Sequence, residues 1–224
     1  MATIYLIHPD NPQPDRIAKV KNQLQKGAVM LYPTDTVYAI GCDLTEKSAV
    51  ERVRQIKQLS SDKPLTFLCD SLSNISHYAQ VSDTAYKIIK RLIPGPYTFI
   101  LPATKLVPKL VMNPKRKTTG IRVPNHTLCQ SLLEAVGNPI VSTSAPTPFT
   151  PQDTRVSQAE LFDQFEKFVD IMIDDEQPVG YQVSTILDMT ATSPEIVRRG
   201  LGWDMAMQWV DVGTQELSHE DWPN

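Results

Sequence analysis

Hydrophobic positions along the chain switch repeatedly between short continuous runs and helical spacing, which is the pattern of an α/β or α+β domain. Ile4 to Ile7 reads as a first strand. Pro14 then opens a helix whose Ile17, Val20 and Leu24 share one face until Gly27 stops it. Ala28 to Tyr32 is the next buried strand, followed by a loop from Pro33 to Asp43. Thr45 is the expected N-cap of a helix turning Val50, Val53 and Ile56 inward, and Leu65 to Cys69 is strand-like. Ala85, Ile88, Ile89 and Leu92 line one side of a helix from Asp83 to Leu92, which must end before Pro94-Gly95-Pro96.

Tyr97 to Leu101 and Gly120 to Val123 read as strands, and Leu128, Leu132, Leu133 and Val136 line a helix closed by Gly137. A strand from Ile140 to Thr143 leads into a polar, proline-punctuated loop from Ala145 to Arg155. A helix bearing Leu161, Phe162, Phe165 and Phe168 follows, then strands at Ile171–Ile173, Thr185–Leu187 and Ile196–Val197. The sequence therefore predicts one domain over residues 1–212 and a loosely held acidic tail at 213–224.

Composition narrows the class. With 224 residues and 41% hydrophobic content the chain can bury a sizeable core without staples. Its three cysteines, Cys42, Cys69 and Cys129, are odd in number and widely spaced, so neither a disulfide framework nor a zinc site is indicated. A reducing, cytoplasmic setting is expected: the N-terminus has no signal-peptide pattern, and no run approaches the ~20 apolar residues that cross a bilayer. Nothing in the sequence sets an oligomeric state.

Charge is segregated. No acidic residue lies between Asp83 and Glu134, yet nine basic ones do, on a chain of net charge −3. The remainder holds thirteen basic against 25 acidic residues. Such a split on an acidic background presents one positive surface to something anionic, and Lys105, Lys109, Lys115, Arg116 and Lys117 are its densest part.

The chain has no G-x-G-x-x-G and no G-x-x-x-x-G-K-[ST], so any phosphate must be held by cationic heads, hydroxyls and helix N-termini. Five segments at strand ends offer those groups: Tyr32–Cys42 with Thr34, Ile56–Leu65 with Lys57 and Lys63, Lys115–Pro124 with Arg122, Val141–Pro146, and Val183–Asp188 followed by Val197-Arg198-Arg199-Gly200. The first two have a plainer reading. Thr and Asp after a strand suit a self-bonded turn, and a lysine at a helix end satisfies the helix dipole. Arg122 lies inside an apolar strand, where a guanidinium needs an anionic partner. The four histidines, His8, His77, His126 and His219, lie outside these segments, which argues against a serine hydrolase. Asp174-Asp175-Glu176 reads as an exposed turn rather than a metal site. A surface rich in hydroxyls and cations suits phosphoryl or adenylyl charge, where positioning and electrostatics dominate.

In this order, PTDTVYAIGCD, IKQLSSDKPL, PGPYTFIL, TTGIRVPNH, PIVSTSA, and STILD with VRRG resemble the Sua5/YciO/YrdC family across roughly residues 15–202. The resemblance implies a single YrdC-like α/β domain, a twisted mixed sheet flanked by helices with a concave, positively charged surface, without the extra C-terminal domain of longer Sua5 proteins. It implies threonylcarbamoyl-AMP synthesis from L-threonine, bicarbonate and ATP, with pyrophosphate released, on the way to threonylcarbamoyladenosine in tRNA. ATP, with Mg2+, is then a substrate, and no tightly bound cofactor or protein-held metal is expected. By position, Thr34 would contact threonine, Lys57 the phosphates and Arg122 the threonine carboxylate. Thr143, Ser144 and Ala145 would line the boundary between amino acid and ATP, with Ser184 beside threonine and Arg198 near the nucleotide; Lys57 and Ser144 would be catalytic. The chain departs from the synthase pattern at three places. K-x-R reads Lys57-Gln58-Leu59, S-x-N reads Ser144-Ala145-Pro146, and a glycine is replaced by Ala39. These losses point to the YciO-like branch, with Lys63 placed by spacing to replace part of the lost arginine's charge. The alternative is a non-catalytic module for tRNA or double-stranded RNA built on residues 105–122.

Overall fold

The computed structural model describes residues 1–60, 63–145 and 156–210. Ten strands form one mixed sheet in the order β1-β8-β2-β3-β7-β4-β6-β5-β9-β10. In sequence they are β1 (Thr3–Leu6), β2 (Met30–Tyr32), β3 (Ala39–Asp43), β4 (Thr66–Leu68), β5 (Tyr97–Pro102), β6 (Thr118–Arg122), β7 (Ile140–Ser144), β8 (Ile171–Asp174), β9 (Thr185–Asp188) and β10 (Glu195–Arg198). Among the described residues seven helices accompany them: α1 (Pro14–Leu24), α2 (Lys47–Ile56), α3 (Leu72–Tyr78), α4 (Asp83–Leu92), α5 (Thr127–Val136), α6 (Gln158–Phe165) and α7 (Trp203–Met207). This is the single α/β domain with a mixed sheet flanked by helices that the sequence implied.

Side-chain alternation gives the sheet two unlike faces. Register aligns Cys42, Val141, Phe67, Ile121, Phe99 and Leu187 in one row, all fully buried. Val50 and Val53 of α2, Ile75 of α3, Ile88 and Ile89 of α4 and Leu161 of α6 join that core. On the opposite face a row runs Gly41, Ser142, Thr66, Gly120, and the next runs Ile140, Leu68, Arg122, Thr98, Ile186, Arg198. Here α1 and α5 pack their apolar sides over Met30, Tyr32, Ile171 and Ile173, reaching as far as Leu68 and Ile140. Beyond α5 the face is paved with small hydroxylated residues, and there the hollow described below opens.

Local chemistry explains most boundaries. Gly137, at φ 77°, caps α5 in the left-handed conformation that glycine adopts without strain. The predicted span Asp83–Leu92 and its four inward residues are found as α4, with Ser82 capping through Ala85 N at 3.2 Å.

Several expectations need correction. Residues 39–43 are not loop but the fully buried strand β3, paired with both β2 and β7. Gly41 is there for close approach, since a Cβ on it would lie 2.5 Å from the Val141 carbonyl. Thr45 does not cap α2. Glu46 holds that position, and the Thr45 hydroxyl donates to Asp43 Oδ1 at 2.8 Å. Ile56 is only half-buried, while Ala49 and Arg54 face inward with Val50 and Val53. Phe168 lies beyond α6 and is exposed. Asp175 is buried rather than in an exposed turn, with Oδ2 3.4 Å from His126 Nε2. Helices α3 and α7 have no counterpart in the hydrophobic pattern. The proline-punctuated loop, from residue 146 onward, and the acidic tail at 213–224 lie outside the described residues. Among the described residues no helix is long and apolar enough to cross a membrane.

Phe67 sits at the centre of the apolar row, edge-on to Tyr78 at 5.5 Å. Phe67→Ala is expected to cost about 3–5 kcal/mol in chemical denaturation; a loss below ~1 kcal/mol would contradict its place in the core.

Candidate functional site

Arg122 ends β6 on the hydroxyl-paved face and is 7% exposed. The sequence required an anionic partner for it, and Asp35 supplies one: Arg122 Nη2 donates to Asp35 Oδ1 at 2.5 Å. Nη1 donates to Thr36 Oγ1 at 2.8 Å and Nε to the Gly95 carbonyl at 3.4 Å. Asp35 is fixed in turn by the Asn125 amide at 3.1 Å. A guanidinium has five N–H groups, so two remain after these bonds.

Around Arg122 opens a hollow of about 580 Å3 when the open solvent at its mouth is included. Its walls include Thr34, Arg122, Thr143, Ser144, Ser184 and Arg198, six of the nine ligand-binding residues expected from the sequence. These come from the turn before β3, from β6, β7 and β10, and from the residue just before β9, brought together by strand order rather than by proximity in the chain. Thr34 serves the turn as well as the wall, its Oγ1 donating to the Val37 carbonyl at 2.7 Å and accepting from Thr36 N at 3.1 Å. Ser184 shares a hydrogen bond with Thr98 at 3.0 Å. Arg198 holds the Ser184 carbonyl with Nε and Nη2 at 3.1 and 2.9 Å. The chain returns after Arg198 so closely that a Cβ on Gly200 would meet the Val183 carbonyl at 2.3 Å, which explains the glycine of VRRG.

The other expected residues stand around this wall. Lys57 is the C-cap of α2 and reaches inward, Nζ donating to the Ser144 carbonyl at 3.0 Å. Ala145 is tied at the rim through its amide to the Tyr38 carbonyl at 2.9 Å. Lys63 is not among the wall residues, and its carbonyl accepts from Arg54 Nη1 at 2.7 Å. Lys105, Lys109, Lys115, Arg116 and Lys117 are exposed on the connection from β5 to β6. That cluster precedes the first residue of β6 while Arg122 is its last, ~13 Å of strand away. Arg116 is engaged by Asp188 at 2.7 Å and Thr190 at 3.1 Å.

Three cations stand at or beside the hollow: Arg198, Lys57 and the Asp35-paired Arg122. Burial pushes the Lys57 ammonium down to about 8, with the nearby Arg198 charge adding to the effect. Burial, and then the charge of Arg122, lowers Arg198 to about 10. Each shift means that the cationic form lacks part of its hydration or feels a like charge, a deficit that a bound anion repairs. Among the described residues no cluster of three or more His, Cys, Asp or Glu gathers to hold a metal. What this arrangement does well is bind an anion bearing several charges and screen charge that builds up during group transfer.

Asp35, Thr36 and Ser142 lie within segments the sequence offered without being singled out as site residues, and Thr66 and Thr98 lie outside those segments. The alternation of hydroxyls with apolar residues in Thr66-Phe67-Leu68 and Thr98-Phe99 was the available signal, since it marks a strand with one polar face.

The fold and this hollow define a class, and the comparisons agree with it. The family model Sua5_yciO_yrdC, described as telomere recombination, matches residues 22–200, and the chain belongs to this Sua5/YciO/YrdC family. It is 42% identical to the Escherichia coli protein YciO over 205 residues, 90% of this chain and 97% of that one. The crystal structure of E. coli YciO superposes with a TM-score of 0.83 at 41% identity, over 90% of this chain and 97% of the other. A Vibrio vulnificus protein named threonylcarbamoyl-AMP synthase is 30% identical over 187 residues, 82% of this chain and 98% of that one. Pyrococcus abyssi Sua5 complexed with L-threonine shares the fold, with a TM-score of 0.84 at 22% identity over 100% of this chain and 67% of the other.

The lowered Lys57 gives a signed pH dependence. Sulfate keeps a constant charge above about pH 3, so its affinity reports the protein alone. Affinity is expected to fall as pH rises through about 8, where Lys57 loses its proton. In Lys57→Arg it should stay level to at least about pH 9, because the guanidinium does not titrate there. Isothermal titration measures both; identical profiles would contradict the placement of Lys57.

Proposed function

We propose that the hollow binds ATP and L-threonine and joins them, with bicarbonate, into threonylcarbamoyl-AMP, supplying the intermediate for threonylcarbamoyladenosine in tRNA. The observation that carries this reading is the convergence of Arg122, Arg198 and Lys57 on one hydroxyl-lined hollow.

In this reading the two uncommitted N–H groups of Arg122 take the threonine carboxylate, with Thr34 and Ser184 beside it. Lys57 and Arg198 take the polyphosphate, and Thr143, Ser144 and Ala145 border both. The threonine amine condenses with bicarbonate, water leaves, and an oxygen of the resulting carbamate attacks the α-phosphorus of ATP. The bond from the α-phosphorus to the bridging oxygen breaks and pyrophosphate departs, its charge screened by Lys57 and Arg198. Mg2+ travels on the phosphates, since no acidic side chain lines the described wall. The missing arginine at Leu59 and asparagine at Pro146 remove stabilising groups, each worth ~10²–10³ in rate, so turnover is slow.

Purified protein given ATP, L-threonine and bicarbonate should release pyrophosphate and form the adenylate, and Lys57→Ala should lower the rate at least about tenfold. Release no faster than in Lys57→Ala would remove the synthase reading.

A second surface has its own observation: Lys105, Lys109, Lys115 and Lys117 are exposed together on the connection from β5 to β6. We propose this surface as the contact for tRNA or double-stranded RNA. Phosphate-dominated binding weakens steeply with salt, and reversing the charge of Lys115 and Lys117 should flatten that dependence by about two phosphate contacts. An unchanged slope in a filter-binding titration would count against it.

A further inference from the structure

Arg54 lies on the inward side of α2, one turn after Val50, and is 9% exposed. A guanidinium there must be met by acceptors. Nη1 donates to the Lys63 carbonyl at 2.7 Å and the Leu110 carbonyl at 3.0 Å, and Nη2 donates to the Ser60 carbonyl. These acceptors belong to two segments, the turn leaving α2 and the connection from β5 to β6. The same junction is closed by Leu59 N donating to the Arg54 carbonyl and Leu65 N to the Val111 carbonyl, both at 3.0 Å. Within the turn Gln58 adopts φ 53°, a conformation that a non-glycine residue holds only when its surroundings fix it.

Lys57 sits at the start of this turn, and its Nζ must cross to the Ser144 carbonyl on another strand. A lysine side chain is long and flexible, so where its ammonium rests depends on where the backbone sets its Cα. We propose that Arg54 is a positioning residue: by clamping the turn after α2 to the connection from β5 to β6, it holds the Lys57 ammonium over the hollow, against the nucleotide phosphates. This rests on the reading of Lys57 as a phosphate-binding cation. The role falls to backbone acceptors and one buried cation at a turn whose K-x-R arginine is replaced by Leu59.

The test is a double-mutant cycle on ATP affinity, measured by calorimetry on the full chain as wild type, Arg54→Met, Lys57→Ala and the double variant. Each single change should weaken ATP about tenfold, the worth of a charge-assisted contact. If Arg54 acts through Lys57, the double variant should bind within about threefold of Lys57→Ala. L-threonine affinity should stay within about twofold in Arg54→Met, a selectivity that general loosening of the fold would not give. If Arg54→Met fails to melt cooperatively, Arg54→Lys, which keeps the charge but cannot fork to the same carbonyls, completes the cycle. ATP binding that requires Lys57 but ignores Arg54, or losses that add to about a hundredfold, overturns the clamp alone. ATP binding indifferent to Lys57→Ala overturns the phosphate role of Lys57 and the clamp together.

Discussion

A guanidinium placed inside a β-sheet is tolerated only if its charge is compensated, and this constraint organises the functional half of the molecule. Arg122 is held by Asp35, Thr36 and the Gly95 carbonyl. The Asp35 carboxylate compensates the buried charge, and the turn that carries it also sets Thr34 and Thr36 at the hollow. Removing either member of such a pair would leave an unpaired charge in a poorly hydrated place. Arg122 is thereby oriented without being saturated, and a site preorganised this way does not reorganise when an anion arrives.

The two faces of the sheet divide the work. One carries the fully buried row from Cys42 to Leu187 beneath α2, α3, α4 and α6, and supplies stability. The other is most apolar where α1 and α5 cover it, and from Ser142 to Ser184 it carries hydroxyls among a few apolar residues such as Ile186. Lys57 and Arg198 approach that polar floor from the C-terminus of α2 and from the edge strand β10. Both lose hydration in doing so, which sharpens their response to an anion.

Much of this was legible in the sequence because local rules and tertiary packing agreed. Helix α4 combined a serine cap, helical spacing and a closing proline motif, and its predicted span is its observed one. The demand of Arg122 for an anionic partner could be read from a charge in an apolar strand, although the partner's identity could not, since Asp35 lies 87 residues away. Strand β3 was hidden because Gly41 and Asp43 are poor strand formers by local preference, and pairing with β2 and β7 overrides that preference. Arg54 was passed over because a charged residue next to Val53 reads as solvent-facing unless the carbonyls around it are known. Lys63 was chosen by spacing along the chain, and it is not among the residues that wall the hollow.

The central claim is that one hollow on the polar face holds both an amino acid and a nucleotide. A crystal soaked with ATP and L-threonine tests it most directly. The account predicts density for both ligands in the same hollow, with the amino-acid carboxylate within hydrogen-bonding distance of Arg122 and phosphate oxygens beside Lys57 and Arg198. Ligands bound on different faces of the sheet, or Arg122 still contacting only Asp35, Thr36 and Gly95 with ATP bound elsewhere, would contradict it.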